Sequence, residues 1–169
     1  MKKILKWLGI GLAVVVVAVG VLLFSMRFHD GPLEILTGGP FKTGAPATAP
    51  VDWGFLADRS TIEFQTMDPA RSRTVWVGVH EGRLFIVSGY MTTGYGRIWK
   101  QWPHYIERND EVLLRIDDRL YAQRLQRING GPIAAAVMDV FGQKYNLGSG
   151  AGDAPVTSGE VWMFEVVDR

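Results

Sequence analysis

The sequence predicts an α+β domain, a small antiparallel β-barrel with short helices, preceded by one transmembrane helix. Three observations carry this expectation. Twenty residues near the N-terminus, Trp7 to Met26, contain no charge. Beyond Trp53, apolar residues alternate in short runs joined by tight turns, the period of half-buried strands. Two further stretches, around Trp99 and from Pro132, change to helical spacing. A chain of 169 residues that is 47% apolar has room for one membrane segment and one ordinary domain with a core.

The charge-free stretch, WLGIGLAVVVVAVGVLLFSM, spans roughly 30 Å as a helix, the thickness of a bilayer's hydrocarbon core. A buried core helix would carry a polar face, and this one has none. A cleaved signal peptide would need a small-x-small site, which "FSMRFHD" lacks. The expected reading is an uncleaved anchor that meets the bilayer through residues 7–26. Lys2, Lys3 and Lys6 precede it and Arg27 alone follows closely. The positive-inside rule therefore expects a single-pass protein of the cell (inner) membrane, with its N-terminus cytoplasmic and the domain on the outer side. The expected segments are 1–26 (lysines and anchor), 27–52 (a Gly/Pro-rich tether, a plain spacer except that "LEILTGGPF" offers Leu33, Ile35, Leu36 and Phe41 for packing onto the domain) and 53–169 (the barrel domain).

Within the domain, "STIEFQT" alternates as a strand, and Arg71–Gly89 reads as a hairpin turning at His80-Glu81-Gly82, with Gly82 free to take a positive φ. "TTGYGRIWKQWPHYIERN" is expected to hold one short helix interrupted by Pro103. Glu111–Ile128 is a second hairpin turning at Asp117-Asp118. "GPIAAAVMDVFGQKY" is a helix with Pro132 in its first turn and Ile133, Val137, Val140 and Phe141 along one stripe. "NLGSGAGDAP" is a glycine-rich loop before a last strand, "EVWMFEVVD".

Several chemistries are disfavoured. There is no cysteine, so no disulfide, thiol nucleophile or thiolate metal site is possible. The three histidines show no metal spacing and no serine sits in a G-x-S-x-G elbow. The glycines at 148–152 follow a helix and precede a strand, the reverse of a dinucleotide fingerprint. Removing the three N-terminal lysines from 18 basic residues leaves 15 against 17 acidic, so the domain lacks the basic excess of a nucleic-acid binder. No catalytic residue stands out.

One constellation points to an anion. Ser88-Gly89 ends a strand, Thr92 to Gly96 forms a loop, and Arg97 and Lys100 are expected to open the following helix. Glycine backbone, hydroxyls and a helix N-terminus favour a phosphate. Arg71 or Arg73 on the neighbouring strand would complete the clamp.

The order "R-x-V-W-V-x-V-x-x-G-R-L-F-I-V-S-G", then "R-I-W-K-x-W-P", then "V-L-L-R-I-D-D-R-L-Y", resembles the split β-barrel of the pyridoxamine-phosphate-oxidase-like flavin-binding superfamily. It is nearest to the deazaflavin-dependent nitroreductase branch, which Lys144-Tyr145 and the closing "V-W-M-F-E-V" also resemble. The resemblance covers Trp53 to Arg169. It implies FMN or deazaflavin as cofactor, with the phosphate held by Arg73, Ser88, Arg97 and Lys100. Thr74, Thr92, Thr93 and Tyr95 would line the pocket. It also implies a homodimer, since members commonly bind the cofactor between two barrels.

The resulting expectation is a membrane-anchored flavin- or deazaflavin-binding barrel with nitroreductase-like oxidoreductase chemistry. The alternative is a cofactor-free, membrane-tethered binding or assembly module, favoured by "ERNDEV", where superfamily members often carry Asn-Pro. Haem lacks an axial ligand pattern at His80 or His104. Trp76 and Trp99 are expected in the core.

Overall fold

The computed structural model describes residues 2–148 and 150–169; Met1 and Ser149, the serine of the glycine-rich loop, lie outside the described residues. Helix α1 (Lys2–Ser25) is long and apolar enough to cross a membrane, and none of it is buried. A 3₁₀ turn (Met26–Phe28) with Met26 buried follows, and then strand β1 (Ala45–Ala47). The remaining strands are β2 (Thr61–Met67), β3 (Ala70–His80) and β4 (Arg83–Ser88). Helices α2 (Gly94–Trp99) and α3 (Trp102–Ile106) come next. Strands β5 (Glu111–Ile116) and β6 (Arg119–Ile128), helices α4 (Pro132–Lys144) and α5 (Ala154–Thr157), and β7 (Trp162–Asp168) complete the chain.

Strands β2 to β7 form a closed antiparallel barrel in the order β6-β5-β2-β3-β4-β7, sealed by β7 pairing back onto β6. Closure removes free sheet edges. The seam has one gap. β7 pairs with β6 only from Gln123 onward, and β1 lies parallel to β6 at Arg119–Tyr121 to cover the rest. The hairpin turns behave as the sequence expects: Glu81 and Gly82 both take positive φ between β3 and β4, as do Asp117 and Asp118 between β5 and β6. The structure thus agrees with the α+β, split-barrel expectation.

The interior is filled by Phe64, Leu84, Ile86, Leu114 and Phe164, all 1% exposed or less, and Trp102 of α3 lies edge-on to Phe64. Each such side chain contributes on the order of 1.5–3 kcal/mol through removal from water. A second cluster forms where α4 lies on the outside of β3, with Val137 and Phe141 buried. Gly78 makes that approach possible, because a Cβ there would sit 2.6 Å from the Phe141 ring.

Three local expectations need correction. The segment 94–106 holds two helices rather than one: the chain breaks at Lys100, which has ψ 63°, and Pro103 lies in the first turn of α3, where its missing N–H costs nothing. Trp76 and Trp99 are 46% and 57% exposed instead of buried; Trp76 is stacked at 4.4 Å on Tyr145. The glycine-rich region also contains α5, started by Pro155 at its N-terminus and unread in the sequence.

Residues 27–52 do not run free of the barrel. Gly38 bridges to Ser72 of β3, the Ser72 hydroxyl donates to the Gly39 carbonyl at 2.5 Å, and the Phe41 amide donates to Gln65 at 2.6 Å. Arg115 of β5 grips the same strap through Asp30 (2.9 Å) and Thr43 (3.3 Å), while its Nε bonds Glu63 and its guanidinium lies over the Phe41 ring.

Candidate functional site

Residue alternation along β3 decides what its polar side chains face. Arg73 pairs across the sheet with Phe64, a core residue, so its side chain enters the same side as Phe64, beneath α3. Thr74 pairs with Glu63 and faces the other way. It lines a separate surface cleft of about 440 Å³ with Asp30, Glu63, Asp117 and Asp118 against only Arg59 and Arg115. Both of those arginines are already paired with carboxylates there, so this cleft does not suit an anion.

On the Arg73 side the charge balance is reversed. Among the described residues, Arg73 makes no ion pair, and its Nε is shielded from solvent without a hydrogen-bond partner. Burial pulls its guanidinium down to about 10; the Tyr105 phenol opposes that and the charge of Arg71 adds to it. The group stays protonated at neutral pH, so the shift measures how little its charge is compensated. Lys100, the C-cap of α2, is lowered first by burial and then by Arg73. Arg71 is lowered by burial and by Arg27. Arg71 and Arg73 thus lie near Tyr105 and Lys100 near Arg73, and among the described residues no carboxylate is bonded to any of the three.

Such an arrangement costs the ligand-free protein stability, because a desolvated cation without a partner is unfavourable. It is chemically suited to a phosphate or other oxyanion, which a guanidinium binds in a planar, two-pronged way.

The other residues named from the sequence are placed differently. Ser88 is 2% exposed and its hydroxyl is directed at the Met91 sulfur at 3.4 Å. Thr93 is the N-cap of α2: its Oγ accepts from the Gly96 amide at 2.9 Å and donates to the Tyr90 carbonyl at 2.8 Å. Thr92 is exposed, and Tyr95, 63% exposed, stacks on Trp99. Arg97 lies in the last turn of α2, exposed, rather than at its start; with Lys100 as C-cap, both cations sit at the carbonyl end of the helix. The structure therefore places Lys100 in the neighbourhood of Arg73 and puts Thr74 on the opposite face of β3.

Sequence reasoning missed Tyr105, which the "WPHY" segment carries inward once Pro103 starts α3. Lys144 and Tyr145 have a structural task. The Lys144 ammonium donates to the carbonyls of Arg59 (2.6 Å), Val77 (3.0 Å) and Leu56 (3.5 Å). The Tyr145 hydroxyl bonds the backbone of Ser60 and Val77, fixing α4 to β3.

The sequence matches no family model, and no curated protein matches it. Solved structures with a similar chain path include a Listeria innocua protein assigned as a pyridoxamine 5'-phosphate oxidase. It is 14% identical with a TM-score of 0.47, over 68% of this chain and 87% of that one. A conserved hypothetical protein of Mycobacterium tuberculosis is 13% identical with a TM-score of 0.48, over 75% and 86%. An F420 reductase is 14% identical with a TM-score of 0.41, over 72% and 96%.

Proposed function

We propose that this chain is a single-pass membrane protein whose barrel binds a flavin-type nucleotide, FMN or a deazaflavin, through its phosphate, in support of oxidoreductase chemistry. The observation that carries the reading is the half-buried Arg73 guanidinium on the core side of β3, its shielded Nε without a partner among the described residues, in the neighbourhood of Lys100. The alternative of a cofactor-free module leaves that uncompensated charge without a purpose.

In this reading Arg73 supplies the bidentate contact and Lys100 a second, more mobile positive charge. Arg71 adds long-range attraction at the mouth. A bound flavin-type ring brings the hydride-transfer chemistry with it. The protein's part is to hold the phosphate, exclude water beneath α3 with Trp102 and Tyr105, and orient the ring. α1 holds the domain at the bilayer, and the three N-terminal lysines keep that end in the cytoplasm.

The test is a visible absorption spectrum of detergent-purified full-length protein, followed by titration with FMN and with a deazaflavin. A flavin band, or saturable binding of either compound, is expected. A colourless protein that binds neither overturns the proposal in favour of the cofactor-free module.

A further inference from the structure

Helix α2 carries an outward face that the nucleotide site does not use. Tyr95, Ile98 and Trp99 are 63%, 80% and 57% exposed, and the Tyr95 and Trp99 rings stack with centroids 6.3 Å apart. Three large exposed apolar side chains on six helical residues form a patch that calls for a partner. Its composition is specific: a tyrosine, a tryptophan and an isoleucine flanked by Arg97 and Lys100, the residue mixture of a membrane–water interface.

The position of α1 says what that partner is. β4 runs antiparallel to β3, with Ile86 opposite Val77, so the end of β4 that leads into α2 lies at the same end of the barrel as Arg71 and Arg73. Arg27, two residues beyond α1, acts electrostatically on Arg71 there. The exit of α1 and the aromatic face of α2 thus share this end of the barrel. The connection is short and pinned: the Arg27 carbonyl lies against Gly39, and Gly38 is bridged to Ser72, between Arg71 and Arg73. None of Arg27, Arg71, Arg97 and Lys100 is ion-paired among the described residues. The exposed Ile35 of the strap, 86% accessible, adds a further apolar side chain to the segment that leaves α1.

We propose that this side of the barrel rests on the bilayer that α1 enters, with Tyr95, Ile98 and Trp99 in the interfacial layer and Arg27 and Arg97 on anionic headgroups. The domain is then apposed to the membrane and not suspended from it, and the mouth of the cation cluster opens at the lipid surface. The inference rests on the membrane reading of α1, so its test reads the two separately.

The protein has no cysteine, so single cysteines can be introduced without background. Ile98→Cys, Val16→Cys and Gln143→Cys would each carry an environment-sensitive fluorophore on the full-length chain. Each labelled protein is reconstituted into phosphatidylcholine vesicles containing phosphatidylglycerol, with and without nitroxide-labelled lipid. Gln143 lies on α4, whose Phe141 meets Gly78, seven residues along β3 from Arg71 and about 23 Å away at ~3.3 Å per residue. The expected result is strong quenching and a blue shift at position 98, strong quenching at 16, and neither at 143. Quenching at 16 with none at 98 overturns the apposed face while leaving the anchor standing. Quenching at 98 with none at 16 keeps the face and overturns the anchor. Absence at both overturns both, and equal quenching at 98 and 143 overturns a specific face.

Discussion

Replacing Arg73 by methionine is expected to weaken FMN binding and, at the same time, to raise the thermal midpoint of the ligand-free protein. The two effects share one cause. The Arg73 side chain is half-buried, its shielded Nε has no partner among the described residues, and burial lowers its pKa to about 10. Replacing buried ion pairs by apolar side chains of similar volume stabilises proteins by up to about 1–4 kcal/mol, and removing the single half-buried Arg73 charge belongs at the lower end of that range. Towards the lower end of that range the midpoint rises by about 3 °C. A charge-assisted hydrogen bond contributes about 1.5–3 kcal/mol, so losing the phosphate contact weakens binding by roughly 10- to 100-fold. Adding Lys100→Met brings the loss to about 10²–10⁴-fold. Thermal melts and equilibrium titration check both arms. A residue with a merely structural role would give the opposite pattern: a lower midpoint and unchanged affinity.

Arg115→Met is expected to release the strap from the barrel. This guanidinium is 12% exposed, holds Asp30 of the strap and Glu63 of β2, and covers Phe41. Asp30 and Glu63 are 27% and 33% exposed and regain water when the arginine is removed, so the loss falls below that of a fully buried pair, at about 2 kcal/mol. The local readout is limited proteolysis: cleavage between residues 29 and 44 is expected in the variant and resisted in the parent, while the barrel stays intact. The same contact gives a pH dependence. Burial raises the Asp30 pKa, but the Thr43 hydroxyl, the Lys42 amide and Arg115 together outweigh it and bring the carboxyl to about 2. A depressed carboxyl pKa stabilises the docked strap above the ordinary carboxylate range. That contribution is lost as pH falls from about 4 towards 2. Equal protease resistance of variant and parent would contradict this role.

The barrel was legible because its strands obey period two and its turns carry their own chemistry. Val75, Val77 and Val79 alternate, and Glu81-Gly82 and Asp117-Asp118 supply positive φ at both hairpin ends. Pro132 marked the start of α4 for an equally local reason. What failed depended on long-range contact. The apolar residues of "LEILTGGPF" suggest that the strap docks, but Leu33 and Ile35 stay exposed. The grip is polar, through Arg115, more than seventy residues from Thr43, which no local pattern announces. Trp76 looks like core by composition, yet its stacking partner Tyr145 lies on the outside of the barrel. At the site, alternation along β3 placed Arg73 and Thr74 on opposite faces, which a strand reading already implies. The break at Lys100 was harder to foresee. It turned Arg97 and Lys100 from the start of a helix to the end of one, and moved the binding argument from a helix N-terminus to the arginine beneath α3.

The most direct test of the central claim is the affinity of the full-length protein for FMN against riboflavin, which differ only in the phosphate. If Arg73 and Lys100 hold that phosphate, FMN binds roughly 10²-fold or more tightly than riboflavin, the worth of two charge-assisted contacts. Equal affinity for the two, or saturation by neither of them nor by a deazaflavin, would contradict the assignment.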